Sequence, residues 1–258
     1  MTITSPNNDR LKEIRKLARR RERALSGRFI AEGEDLLAAA DAAGWAALER
    51  YCAAGSGLPG VAVEPELLAG VSQLGSGTRA LGVFEQRWAD APVGPLCVAL
   101  HGIADPGNVG TVLRSALAFG ASSVALGPDC ADPYGFKAVR ASMGALFAVP
   151  VARYASVEEL PGMVVALAAH AGESIAGLME ETTGARTPAG GRPRGTASLT
   201  LLIGAERVGL PDDVLAACDR VVRIPIHSES LNAAMAATVA LYEVTREAVA
   251  ADRRMPTP

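Results

Sequence analysis

Residues 96–127 read LCVALHGIADPGNVGTVLRSALAFGASSVALG, and their pattern decides the fold. An apolar run over 96–100 ends at His101-Gly102, and Asp105-Pro106-Gly107-Asn108 then combines a turn with a helix start. Val109, Val112, Leu113, Ala116 and Leu117 recur at i, i+3, i+4, i+7 and i+8, the spacing of one buried face of a helix over 108–119. Arg114 lies off that stripe. A second apolar run follows at 123–127. Strand, helix, strand is the repeating unit of a parallel sheet, because two parallel neighbours need a crossover between them.

The alternation continues toward the C-terminus. It predicts a helix near 137–145, a strand at FAVPV (147–151), a helix over 157–169, a strand at 174–179 and a turn-rich loop over 183–196. A strand over 198–204, a short helix over 211–217, a strand at RVVRIPI (220–226) and a long helix over 231–248 complete it. This is an α/β domain whose mostly parallel sheet is covered on both faces, with a ligand expected beyond the carboxyl ends of the strands. Upstream, WADAPVGP (88–95) has two prolines, a glycine and no apolar periodicity. It centres a linker at 91–95 between a first unit, 1–90, and a second, 96–258. The first unit reads as a small α/β module. Leu11, Ile14, Leu17, Ala18 and Leu25 predict one amphipathic helix over 8–25. A strand at RFIAEG, a helix over 34–43 stopping at Gly44, short segments at 48–54 and 61–63, a helix near 65–70 and a strand at 79–86 follow.

With 258 residues, 49% hydrophobic and 21% charged, the chain buries a sizeable core and is not disordered. No apolar stretch approaches the roughly 18 residues of a spanning helix, and the polar start MTITSPNNDR lacks a secretory signal, which predicts a cytoplasmic protein without membrane contact. Four scattered cysteines and three histidines argue against a zinc cluster or a disulfide framework, so no metal is expected. Charge is unevenly placed. Residues 1–30 hold nine bases against three acids, a local +6, while the whole chain is −3 and the remainder therefore −9. Such asymmetry points to a polyanion, with Arg15, Arg19, Arg20, Arg21, Arg23 and Arg28 as contacts. Arginine predominates, and its planar fork suits phosphate better than a point charge does.

Three loops at predicted strand ends stand out. The first, 101–121, sets Asn108 at a helix start, where it either caps the helix or faces a ligand. The second, LLIGAERVGLPDDVL (201–215), flanks Glu206-Arg207 with Gly204 and Gly209, which permits close backbone approach. In the third, RIPIHSESLNAAMAATVALYE (223–243), Pro225 ends a strand and Ser228 or Ser230 is placed to cap an alanine-rich helix. No G-x-G-x-x-G or Walker lysine occurs, which excludes a nucleotide-dependent dehydrogenase.

Together and in this order, the loops resemble the three signature motifs of the SpoU (TrmH) family of SPOUT RNA methyltransferases. The first is Asn108-x-Gly110-x-x-x-Arg114 with Phe119-Gly120; the second is Gly204-x-Glu206-x-x-Gly209-Leu210; the third is Ile224-Pro225-Ile226 with Ser230-Leu231-Asn232. The segment 142–151 resembles the family's linking stretch, and residues 3 to 33 resemble the RNA-binding accessory domain of its ribosomal RNA branch. The resemblance implies a deep trefoil knot at the C-terminal end of the sheet, a ribosomal-protein-like RNA-binding domain in front, and a homodimer. It implies S-adenosylmethionine bound at Ile203, Gly204, Glu206, Gly209, Ile224, Ile226 and Leu231. It also implies methyl transfer to a ribose 2′-hydroxyl, most naturally of 23S ribosomal RNA, with Arg114, Asn108, Glu206, Ser230 and Asn232 at the reacting centre. A guanidinium does not deprotonate near neutral pH, so Arg114 is expected to grip phosphate and stabilise developing negative charge. Alternatives are a tRNA substrate, a ribosomal RNA enzyme conferring antibiotic resistance, and a non-catalytic RNA-binding dimer.

Overall fold

The computed structural model describes residues 2–74, 77–169, 171–177 and 198–252. At the N-terminus two helices replace the single one expected over 8–25: α1 (Asp9–Lys16) and α2 (Arg20–Ser26). Asn8 caps α1 by accepting from the Arg10 amide at 3.0 Å, and Leu11 and Ile14 face inward. The chain breaks at 17–19 because Arg23 reaches back. Its Nη1 donates to the carbonyls of Leu17 (2.9 Å) and Ala18 (3.0 Å), which the interrupted ladder leaves open.

The next four strands, β1 (Arg28–Glu32), β2 (Glu49–Ala53), β3 (Val61–Val63) and β4 (Ala80–Glu85), form a sheet of order β1-β4-β2-β3. Here β4 runs antiparallel to β1 and β2, while β3 is parallel to β2. Helix α3 (Glu34–Ala42) buries Leu36, Leu37 and Ala40 against it, and α4 (Pro65–Ala69) follows β3.

Residues 88–95 carry no helix or strand, yet they are pinned. The Ala89 amide donates to Val151 O (2.8 Å), and Ser123 Oγ both accepts from the Val93 amide and donates to its carbonyl. Then come β5 (Leu96–Leu100), β6 (Ser123–Leu126), β7 (Val151–Arg153), β8 (Met163–Leu167), β9 (Glu173–Ser174), β10 (Leu199–Ile203) and β11 (Arg220–Arg223). All seven are parallel, in the order β7-β6-β5-β10-β8-β11-β9. Side chains alternate between two apolar layers, as a sheet covered on both faces requires. Val98, Leu100 and Leu201 meet Val109, Val112 and Leu113 of α5 (Pro106–Ala118) and Ala237 and Leu241 of the C-terminal helix (Ala233–Asp252). Cys97, Ala99 and Leu202 meet Tyr154, Val157, Leu160 and Leu210 on the other side.

Three expectations are corrected. Only a 3-10 turn, Val157–Glu159, stands where a helix over 157–169 was expected, and Met163–Leu167 is instead the strand between β10 and β11. A fully buried strand has no period-two signature, so its apolar run reads equally as a helix face. Residues 147–151 are not a strand: after α6 (Phe136–Ala141), α7 (Ala145–Ala148) runs through Phe147, and β7 starts at Val151. Phe147 is held there because its carbonyl accepts from Trp45 Nε1 at 2.9 Å and its ring packs 5.2 Å from that indole. Finally, β9 is two residues long and residues 175–177 are helical; 178–179 and the expected loop over 183–196 lie outside the described residues.

A continuous apolar seam joins the two sheets. Phe29 packs on Tyr134 (centroids 4.8 Å apart) and, with Phe84 and Trp45, surrounds Phe147. Beside it, Arg23 and Asp132 form a buried ion pair, with Nε and Nη2 donating to one carboxylate oxygen at 2.9 and 2.7 Å. No helix among the described residues is long and apolar enough to cross a membrane.

Candidate active site

At the carboxyl end of β10 the chain makes a tight reversal. The Gly209 amide donates to Ala205 O at 2.8 Å, and Gly209 takes φ +73, a left-handed conformation that favours glycine. A Cβ on Gly204 would stand 2.6 Å from Gly209 C and 2.7 Å from Leu210 N, so only glycine fits where the loop crosses itself. The reversal projects Glu206 toward the starts of two helices.

Glu206 Oε1 accepts from Asn108 Nδ2 and Asn232 Nδ2, both at 2.5 Å, and from the Ala233 amide at 3.2 Å. Asn232 Nδ2 also donates to Asn108 Oδ1 at 3.0 Å. One carboxylate oxygen thus ties its own loop to two others, whose asparagines lie 98 and 26 residues away in sequence. Each helix start has its own cap: Asp105 Oδ1 accepts from the Asn108 amide at 2.9 Å, and Asn232 Oδ1 accepts from the amides of Ala234 and Met235. The C-terminal helix therefore begins at Ala233 with Asn232 as its cap, whereas Ser228 or Ser230 was expected to cap it and 231 to start it. Both serines are exposed in the preceding loop.

Beside this cluster lies a cavity of about 580 Å³. All seven residues expected to hold a cofactor line it: Ile203, Gly204, Glu206, Gly209, Ile224, Ile226 and Leu231. Ser230 lines it as well, while Asn108 and Asn232 reach it only through Glu206. Leu167, Ala168, Ala169 and Ala171 complete one wall. The sequence pattern missed these four because Leu167 ends β8 and the alanines follow it, in a stretch that read as a helix. The bounding Pro161-Gly162 and Gly172 were the available sign that MVVALAA (163–169) is a strand and the start of a loop.

Arg114 is exposed on α5 and has no hydrogen-bond or ion-pair partner among the described residues. Of the six arginines expected to contact a polyanion, Arg15, Arg19, Arg20, Arg21 and Arg28 are exposed. Arg23 departs from that expectation: it is 6% exposed and its fork is taken up by Asp132 and two carbonyls, so its charge is spent inside the fold. Among the described residues no group of three or more His, Cys, Asp or Glu side chains is gathered to hold a metal ion.

Residues 95–242 match the SpoU rRNA methylase family, and residues 8–77 match the MRM3-like substrate binding domain. An uncharacterised tRNA/rRNA methyltransferase of Synechocystis is 30% identical over 97% of this chain and 95% of its own. A 23S rRNA (uridine(2479)-2′-O)-methyltransferase of Streptomyces viridochromogenes is 38% identical over 59% of this chain, which spans about half (53%) of that relative. The crystal structure of an AdoMet-bound rRNA methyltransferase from Sinorhizobium meliloti superposes with a TM-score of 0.79 at 28% identity, over 96% of this chain and 98% of that one. With the family match covering more than half of its length and the three loops drawn together on Glu206, the chain belongs to the SpoU rRNA methylase family of RNA methyltransferases.

Proposed function

We propose that the protein methylates a ribose 2′-hydroxyl of RNA, with 23S ribosomal RNA as substrate and S-adenosylmethionine as methyl donor. The observation that carries this reading is the Asn108–Glu206–Asn232 cluster set against the cavity. The cavity suits that donor: its volume falls within the roughly 300–1,000 Å³ of small-molecule sites, and Leu167, Ile203, Leu210, Ile224 and Leu231 offer apolar walls for a flat purine. Glu206 and Glu229 add negative charge facing a ligand that carries a sulfonium and an ammonium group. When bound, S-adenosylmethionine supplies a methyl group made electrophilic by its sulfonium.

Counting donors and acceptors divides the roles. Asn232 commits both Nδ2 hydrogens, to Glu206 and Asn108, and its Oδ1 to the helix start, so it positions its neighbours. One Asn108 Nδ2 hydrogen and Glu206 Oε2 have no partner among the described residues and are left for the ribose and the donor. Arg114 grips the target phosphate in a fork and stabilises negative charge developing on the hydroxyl oxygen as the O–C bond forms and the S–C bond breaks, with the proton passing to solvent water and S-adenosylhomocysteine leaving. Ser230, exposed at the cavity wall, orients the sugar. The exposed Arg15, Arg19, Arg20, Arg21 and Arg28 draw in the RNA within a substrate-binding unit over 1–90, linked by 91–95 to a catalytic unit over 96–258.

Two further features belong to the same proposal. The segment from β10 to the C-terminal helix forms a trefoil knot, supported by β10 lying between β5 and β8, β11 lying beyond β8, and the 224–231 loop returning to the 203–210 loop at one cavity. The protein works as a homodimer in the cytoplasm. In support, Leu117 of α5 and Met235, Val239 and Tyr242 of the C-terminal helix present large apolar side chains to solvent on two helices that pack together through the Ser115–Thr238 hydrogen bond.

The test is incubation with tritiated S-adenosylmethionine and, separately, ribosomal RNA and tRNA from a strain lacking the gene, followed by nucleoside analysis. Label in a 2′-O-methylated nucleoside of large-subunit RNA is expected. Label confined to tRNA overturns the substrate, and label in a methylated base overturns the chemistry.

A further inference from the structure

A second cavity, of about 190 Å³, opens along the seam between the two sheets. One wall comes from α2 and the segment after β4, through Arg20, Gln86 and Trp88; the other comes from the carboxyl ends of β6 and β7, through Leu126, Asp129 and Arg153. It is smaller than the roughly 300–1,000 Å³ of a site for a free metabolite. Its charge is biased. Asp132 at its edge is neutralised by the buried Arg23, which leaves Arg20 and Arg153 against Asp129. Neither arginine has an ion-pair partner among the described residues.

The cleft also holds a preformed stack. Trp88 lies edge-on to Tyr134 (centroids 5.2 Å, planes at 76°), and the Arg153 guanidinium sits 4.2 Å from the Trp88 ring centroid. Tyr134 is locked from behind, since its hydroxyl donates to the Arg87 carbonyl while accepting from that residue's amide. An arginine held over an indole offers its outer plane as a stacking surface, and single-stranded RNA bases stack on aromatic rings and guanidinium planes.

Position supplies the last step. In a parallel sheet all carboxyl ends share one edge, and β6 is the neighbour of β5, which is the neighbour of β10. With β7 next beyond β6, at about 5 Å per strand the cleft lies roughly 10–15 Å along that edge from the Glu206 cluster. Arg20 meanwhile continues the exposed arginines of the N-terminal helices into the cleft. We propose that this cleft is a second RNA contact, holding a nucleotide that flanks the methylated one, with its base stacked on the Arg153 guanidinium and its phosphate against Arg20. The inference rests on the RNA methyltransferase reading above, and its test separates the two.

The variants Arg153→Ala, Arg153→Lys and Arg20→Ala are compared with the native protein by filter binding and steady-state methylation of in vitro-transcribed 23S rRNA, with melting temperatures as a folding check. Arg153→Ala is expected to raise KM and Kd about tenfold with kcat little changed, the cost of one stacked base. Arg153→Lys is expected to recover only a minor part of that loss, because an ammonium cannot lie flat under a base. Arg20→Ala is expected to raise Kd severalfold and to lower the slope of log affinity against log salt by about one. A 4-thiouridine-substituted transcript is expected to crosslink to the peptide carrying Trp88 or Arg153. Native KM and Kd in both alanine variants, with methylation intact, overturn the cleft and leave the methyltransferase reading standing. If the native protein methylates no RNA, that reading falls, and the cleft is then judged on transcript binding and crosslinking alone, where a native Kd in Arg153→Ala or a crosslink elsewhere overturns it.

Discussion

Asn232 Nδ2 donates to Glu206 Oε1 at 2.5 Å, so the cap of the C-terminal helix is held by the tip of the β10 loop. The bond makes the third loop depend on the second. A charged acceptor serving three donors is worth more than a neutral one, by roughly 1–2 kcal/mol per bond. Glu206→Gln is therefore expected to lower methyl transfer about tenfold, and Glu206→Ala at least a hundredfold, an effect read in the tritium assay. Glu206→Ala also loses three hydrogen bonds at two helix starts, so its melting temperature should fall by a few degrees, less in Glu206→Gln, and turnover is compared well below that transition.

Arg114 has no partner to lose within the described fold, so its removal tests function alone. Arg114→Ala is expected to abolish turnover while S-adenosylmethionine affinity, measured by calorimetry, stays within a few-fold of native. Arg114→Lys should restore little, since a point charge does not reproduce a bidentate grip. Retained turnover in the alanine variant would refute the assigned role.

Arg23 and its neighbours should behave oppositely. Arg23→Ala leaves Asp132 buried without its partner and opens the Leu17 and Ala18 carbonyls, which should cost about 3–5 kcal/mol in urea denaturation. Joint replacement of the exposed Arg19, Arg20 and Arg21 should leave that midpoint unchanged while weakening RNA binding and flattening its salt dependence. An unaltered salt slope would remove these residues from the RNA contact.

Gly110 packs α5 on α6, where an added Cβ would meet Ala138 O at 2.3 Å and Ala141 Cβ at 2.7 Å. Gly110→Ala forces the two helices apart and should destabilise the protein by about 1–3 kcal/mol despite alanine's better helix propensity. Chemical denaturation measures it, and a stabilised variant would mean that the helices are not in this contact.

Burial raises the thiols of Cys97 and Cys130 above their ordinary range, and that of Cys218 up to about 11, also by burial. A raised folded value means that the native state holds these protons more tightly than the unfolded chain does. The contribution is complete below the unfolded value of 9.0 and is lost as pH climbs from there toward 11. Denaturation midpoints should thus decline above about pH 9, and native cysteines should react slowly with a thiol reagent near neutrality.

Much of the candidate site was legible in the sequence because its determinants are local. Gly204 and Gly209 are demanded by a loop that crosses itself, and Asp105-Pro106 supplies a side-chain cap followed by a first helical residue with no amide to satisfy. The α5 stripe, β5, β6 and β10 follow from periodicity and from apolar runs bounded by turns. Elsewhere the sequence left alternatives that only long-range contacts resolve. Met163–Leu167 becomes a strand because β10 and β11 flank it with open ladder groups, a circumstance its own residues do not encode. Arg23 reads like any other base in a basic run until Asp132, 109 residues away, takes its charge inside. The three loops are each ordinary in isolation, and what joins them is one carboxylate oxygen placed by the strand order within reach of two asparagines. Local sequence dictates conformation over a turn or two, whereas the pairing of distant polar groups is settled by which tertiary arrangement satisfies them together with the packing of the sheet that carries them.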